Sequence, residues 1–70
     1  MENRVLGDKL RKGRINKKYS QGDVANSLKI SRQSISKWEN NSSLPDLTNL
    51  VKLSELYEIS TDELLKGKKE

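Results

Sequence analysis

The sequence predicts an all-α fold of five short helices in a single domain. Three observations carry that expectation. Apolar residues recur at intervals of three and four, strand-like alternation never persists, and Ser20, Ser31 and Ser60 stand where helices would start. With 70 residues there is room for one domain, whose core spans about 5–65 and is small.

The first helix is expected over residues 5–17. Leu6, Leu10 and Arg14 repeat every four residues with Gly13 on their side, so this stripe faces inward. Gly13 is a weak point there, costing up to about 1 kcal/mol relative to Ala. The second helix runs over 21–28 with Val24, Ala25 and Leu28 inward. Ser20 is its candidate N-cap, and Asp23 lies near its positive end. The third follows Ser31, another candidate cap, and ends near Asn40. Steps of 100° put Ser31, Ser34, Ile35, Trp38 and Glu39 on one arc and Arg32, Gln33, Ser36, Lys37 and Asn40 on the other. The second arc has two cations, three uncharged hydrogen-bonding side chains and no carboxylate, whereas a merely solvated face mixes its signs. Residues 41–45 form a loop, because Pro45 disfavours helical geometry at Leu44. The fourth helix covers 46–57, with Leu47, Leu50, Val51, Leu53, Ser54 and Tyr57 on one side. The fifth covers about 61–66, where Ser60 and Glu63 form a capping box and Leu64 and Leu65 supply the apolar contact. Residues 66–70 are expected to be a frayed tail or the stub of a longer protein.

The chain has neither Cys nor His. That removes disulfides, zinc sites built on those residues, and the commonest catalytic bases and nucleophiles. A chain this short without either is read as a binding module, with no enzyme activity, cofactor or metal. No apolar run approaches the ~20 residues of a membrane-spanning helix. The N-terminus has no secretory h-region, so a cytoplasmic protein is expected. Charge is unevenly spread. Residues 1–37 carry ten basic side chains against three acidic ones, whereas 38–65 carry Lys52 against six acids. A basic half beside an acidic half suits a polyanion held on one side, with nucleic acid first and an anionic membrane or a plain solvated face as alternatives.

Residues 20–40 read as a short helix, a break at Lys29, Ile30 and Ser31, and a second short helix. Ala25 is small where the two must cross, Ile30 plugs the angle, and Leu28, Ile35 and Trp38 fill the space beneath. This is helix-turn-helix architecture, whose second helix enters the major groove by its N-terminal end. The chain also resembles a family: the phage-repressor-type (XRE or Cro-like) helix-turn-helix DNA-binding domains. The resemblance spans residues 5–65. It rests on Tyr19-Ser20-Gln21, Val24-Ala25, the run Ile30 to Asn40, Leu44-Pro45-Asp46-Leu47, Leu50-Val51-Lys52-Leu53 and Ser60-Thr61-Asp62-Glu63-Leu64-Leu65. It implies a lambda-repressor-like domain that binds operator DNA as a transcriptional regulator, most readily a repressor.

Residue by residue, the resemblance implies that Gln21 bonds a phosphate and braces the third helix, and that Arg32, Gln33 and Lys37 read base edges. Chemistry agrees, since Arg suits guanine O6/N7 and Gln suits adenine N6/N7. Ser36 and Asn40 match positions at the groove edge or backbone, and Asn41 and Ser42 join that set. Asn41 stands where the family often has Gly, and Asn tolerates the left-handed region best after Gly. Lys18, Lys29 and Glu58 replace family glycines, each at a strain of about 1 kcal/mol if left-handed. Arg14 points inward and matches a family ion pair, with Glu39 its partner. Trp38 is expected in the core, and Tyr19 and Tyr57 are expected to pack with wet hydroxyls.

The expected partner is a palindromic double-stranded operator bound by a weak homodimer. Its seam lies in the region of the fourth and fifth helices, where Leu56, Ile59, Leu64 and Leu65 gather and the acids of the C-terminal half repel. The alternative is a protein-interaction module of the same fold, an antitoxin or anti-repressor. The third helix argues against it, having no exposed aromatic or aliphatic on its polar face. RNA or lipid binding lacks stacking aromatics and a Trp/Leu-faced helix.

Overall fold

The computed structural model describes residues 4–66. Its five helices are α1 (Arg4–Asn16), α2 (Gln21–Leu28), α3 (Arg32–Glu39), α4 (Leu47–Tyr57) and α5 (Thr61–Leu65). Among the described residues there is no strand. Residues 67–70 of the expected tail lie outside the described residues, while Lys66 closes α5 by donating its N–H to the Asp62 carbonyl at 2.9 Å.

Serines start three of the helices. Ser20, Ser31 and Ser60 accept from the backbone N–H groups of Asp23, Ser34 and Glu63, each satisfying a donor the helix itself cannot pair. The reciprocal box forms at Ser20, whose own N–H donates to Asp23 Oδ2 at 2.8 Å. It was expected at Ser60, but there the Glu63 carboxylate turns to Lys9 at 3.6 Å and Lys66 at 3.8 Å.

Four of the five helix ends share one device. Lys18, Lys29, Asn41 and Glu58 all adopt positive φ, between 59° and 64°. In each case the next residue's N–H reaches back across the turn: Tyr19 to Arg14, Ile30 to Ala25, Ser42 to Lys37 and Ile59 to Ser54, at 2.9–3.1 Å. Gly normally occupies such positions because it has no Cβ to clash. Here side chains sit there, with a buried reward beyond them: Tyr19, Ile30 and Ile59 pack against the core. The fourth closure differs, because Ser42 is exposed.

The core joins Leu10 of α1, Val24, Ala25 and Leu28 of α2, Ile35 and Trp38 of α3, Leu50, Leu53 and Tyr57 of α4 and Leu64 of α5. Fully burying one such large side chain contributes ~1.5–3 kcal/mol. α2 packs on α3, and α1 packs on α3 in turn, with Ala25 of α2 buried.

Packing corrects several expectations. Leu47 and Val51 were expected to face inward, but they are 73% and 38% exposed, and Leu65 is 60% exposed. The arc of α4 covered by α1 and α5 holds Leu50, Leu53 and Tyr57, too narrow to reach them. Conversely, Leu64 is buried and Leu56 and Ile59 pack against the core, so three residues expected at a dimer seam are turned inward. Tyr57 keeps no wet hydroxyl: the group is buried and finds no partner among the described residues. Gly13 is less a flaw than a clearance, since a Cβ there would lie 2.7 Å from Ile59 Cδ1 and 3.1 Å from Tyr57 Cδ2.

Candidate nucleic-acid interface

α3 presents its first turn outward. Arg32, Gln33 and Lys37 are exposed, Ser36 is half-buried beside them, and Asn40 lies exposed at the far end. The opposite arc buries Ile35, Trp38 and Glu39. The face is therefore cationic and hydrogen-bonding, anchored by an apolar underside. Along it, Asn40 Nδ2 lies 3.5 Å from Ser36 Oγ, one helical turn away.

A charged group sits under this face. Arg14 Nε donates to Glu39 Oε2 at 2.7 Å, and its Nη2 donates to Glu39 Oε1 at 3.1 Å. This two-bond pairing links α1 to the end of α3. The Arg14 side chain is 14% exposed and that of Glu39 only 3%, so the pair is shielded from water. A third guanidinium N–H, from Nη1, reaches the Tyr19 carbonyl at 3.0 Å and fixes the turn that leads into α2. The bond to Glu39 raises the Arg14 pKa, outweighing the burial that lowers it, so Arg14 stays charged. Burial first, then the Glu39 charge, pushes the nearby Tyr57 hydroxyl well above its ordinary pKa, with Arg14 opposing.

Gln21, the first residue of α2, joins the same group. Its Nε2 donates to Glu39 Oε1 at 3.2 Å, and its Oε1 accepts from Arg32 Nη1 at 3.4 Å. Arg14, Glu39, Gln21 and Arg32 thus form one chain of polar contacts from α1 to the tip of α3.

The turn after α3 is held from an unexpected side. Asn41 Oδ1 accepts the Gly7 N–H at 3.2 Å, tying the turn after α3 to the first turn of α1. A Cβ on Gly7 would lie 2.7 Å from the Glu39 carbonyl oxygen, so only Gly lets α1 come this close to the end of α3. Ser42 stands exposed beyond, its N–H committed to the Lys37 carbonyl at 2.9 Å. Sequence reading missed Gly7, because nothing local marks a contact 34 residues away.

The basic half of the chain divides into two uses. Lys17 pairs with Glu58 at 3.2 Å, and Lys9 donates to the carbonyls of Glu63 and Lys66 at 2.6 and 3.0 Å. Arg11, Lys12, Lys18, Lys29, Arg32 and Lys37 remain exposed. Among the described residues no group of His, Cys, Asp and Glu is placed to hold a metal ion, and no helix is long and apolar enough to cross a membrane.

The sequence profile of a helix-turn-helix domain family matches residues 7–70. An uncharacterized prophage-derived HTH-type transcriptional regulator of Bacillus subtilis, YonR, is 46% identical over 63 residues, covering 90% of this chain and 58% of its own length. Repressor protein C2 of Salmonella phage P22 is 33% identical over 67 residues, 96% of this chain and 31% of that protein. The chain thus spans less than two thirds of the curated relatives it matches. Among solved structures, the N-terminal DNA-binding domain of SinR from Bacillus subtilis superposes with a TM-score of 0.84 at 26% identity, covering 97% of this chain and all of that one.

Proposed function

The chain belongs to the helix-turn-helix domain family, and from that premise we propose that it is a sequence-specific, double-stranded DNA-binding repressor of transcription in the cytoplasm. The observation that carries this reading is the face of α3, with Arg32, Gln33 and Lys37 exposed over a buried apolar and ion-paired underside. Arg32, Gln33 and Lys37 read base edges. Gln21, Ser36, Asn40, Asn41 and Ser42 meet the groove edge or phosphates, which fix register without carrying sequence information directly. Regulation here is by occupancy, and no bond is made or broken. Relatives named as HTH-type transcriptional regulators and a phage repressor support the regulatory part.

One recognition helix spans only a few base pairs, so the protein acts as a two-fold dimer on a palindromic operator. Half-sites one turn apart stand ~34–36 Å from each other, close to the 35 Å long axis of the domain, so copies aligned along that axis reach one another. Leu44, Leu47 and Val51, on the loop and on one side of α4, offer exposed apolar surface for that contact, with Leu65 on α5. The same surface would serve a protein partner, which is how an antitoxin-like module would use this fold.

Salt-titrated binding to duplex DNA, single strands, RNA and anionic vesicles tests the reading. We expect the duplex to bind tightest, with log affinity falling linearly against log salt as phosphate counterions are released. Equal or tighter binding to single strands, RNA or vesicles contradicts it.

A further inference from the structure

We propose that Lys18 and Lys29 bind phosphodiester oxygens of the duplex, placed by one repeated turn on the approaches to α2 and α3. The inference rests on the reading of the chain as a duplex-DNA binder.

The same turn occurs three times. Lys18-Tyr19-Ser20-Gln21, Lys29-Ile30-Ser31-Arg32 and Glu58-Ile59-Ser60-Thr61 each lead from the end of one helix into the start of the next. The first residue is left-handed, at φ 64°, 60° and 59°. The second packs against the core while its N–H returns to the helix just ended, at 3.1, 3.0 and 3.0 Å. The third is the serine N-cap of the helix that follows. Backbone and core therefore make one demand on the first residue at all three sites. It must tolerate a conformation in which a Cβ crowds the following carbonyl, and Gly meets that demand most easily.

None of the three is Gly, and the charge differs with the place. Glu58 leads into α5 and has a partner within the fold, Lys17 at 3.2 Å. Lys18 and Lys29 are exposed and make no ion pair among the described residues. They lead into α2 and α3, whose first residues lie side by side, with Arg32 Nη1 3.4 Å from Gln21 Oε1. Lys9 and Lys17 of the same basic half are instead committed to contacts inside the fold. Two unpaired ammonium groups thus flank the motif, one ahead of each of its helices. An ammonium is a compact point charge with three donors on a flexible stem. It suits a phosphate oxygen, a contact that fixes register and carries no sequence information directly. Lys and Gly can both make this turn; only Lys adds a cation at the edge of the docking face, and the strained backbone is the cost of keeping it there.

The test compares wild type with Lys18→Gly, Lys29→Gly, Lys18→Asn, Lys29→Asn and Glu58→Gly. Each binds a duplex recovered by selection from a random pool, and a scrambled duplex, across a KCl titration. Gly relieves the turn, so the Gly variants should melt no lower than wild type by circular dichroism, and lost binding is then not lost structure. Asn tolerates the same backbone and removes the charge. Each lysine variant, Gly or Asn, should weaken both duplexes about threefold to tenfold at physiological salt and flatten the slope of log affinity on log salt by about one. Base preference should persist, and Glu58→Gly, the same turn without a free cation, should not weaken binding. Lysine variants with unchanged affinity and slope would overturn the proposal. So would Gly variants that weaken binding while the Asn variants do not, because flexibility rather than charge would be the cause. A loss confined to one base pair would make the lysine a base reader and overturn it equally. If wild type itself binds no duplex in a salt-dependent way, the DNA-binding reading fails and takes this inference with it.

Discussion

Removing the Arg14 guanidinium strips two hydrogen bonds from Glu39 and one from the Tyr19 carbonyl. Glu39 would then be left buried without its cation, keeping among the described residues the side-chain hydrogen bond from Gln21 Nε2. Breaking one partner of a buried pair costs ~3–5 kcal/mol, whereas surface pairs contribute ~0–1. Arg14→Met should therefore destabilise the chain by about 3–5 kcal/mol in urea titration, comparable with much of a small domain's stability. A loss below about 1 kcal/mol would mean that the pair is no more than a surface contact. Tyr57 gives the opposite sign. Its hydroxyl is buried with no partner among the described residues, and an unsatisfied buried polar group costs ~1–3 kcal/mol. Tyr57→Phe should be neutral or stabilising by up to about 1 kcal/mol on the same titration; clear destabilisation would reveal a hidden partner for the hydroxyl. The inward direction of Arg14 was legible in the sequence, because it shares the phase of Leu6 and Leu10. The isolation of the Tyr57 hydroxyl was not. Periodicity says which side a residue faces, and says nothing of what its polar tip meets there.

At the scale of elements, starts were easier to read than faces. Ser20, Ser31 and Ser60 cap helices through bonds within three residues, so local sequence carries the information. Which residues of α4 are covered depends on α1 and α5, which the α4 sequence does not contain. Leu47 and Val51 match the apolar rhythm and still lie outside the covered arc. The ends of helices show a cost. Lys18, Lys29, Asn41 and Glu58 adopt the left-handed geometry that Gly tolerates, and a side chain there crowds the following carbonyl. Lys29→Gly relieves that crowding in the turn between α2 and α3, offset partly by the greater freedom of Gly in the unfolded chain. Stability should rise by about 0.5–1 kcal/mol, read as a higher melting midpoint. A fall would show that the Lys29 side chain contributes packing beyond its strain.

At the scale of the molecule, the acidic half is quieter than its composition suggests. Glu39 is neutralised by Arg14, Glu58 pairs with Lys17, and Glu63 faces Lys9 and Lys66. Repulsion between two copies is correspondingly smaller than the acid count implies. The exposed apolar surface at Leu44, Leu47 and Val51 is nonetheless modest, so association in free solution should be weak and strengthened by DNA. Sedimentation should show mostly monomer at micromolar concentration and two copies on one palindromic duplex. Tight binding of a single copy to a half-site, with nothing gained from a second half-site, would remove the dimer.

Whether exposed side chains of α3 read DNA sequence is decided by selecting bound sequences from a random duplex pool, run in parallel with wild type and Arg32→Ala. The wild type should yield a two-fold symmetric consensus. Arg32→Ala should lose preference at one base pair of each half-site, at a cost of ~1–3 kcal/mol on the preferred site, and keep the other positions. No consensus from the wild type, or an Arg32→Ala profile of unchanged shape with every duplex weakened alike, would contradict it.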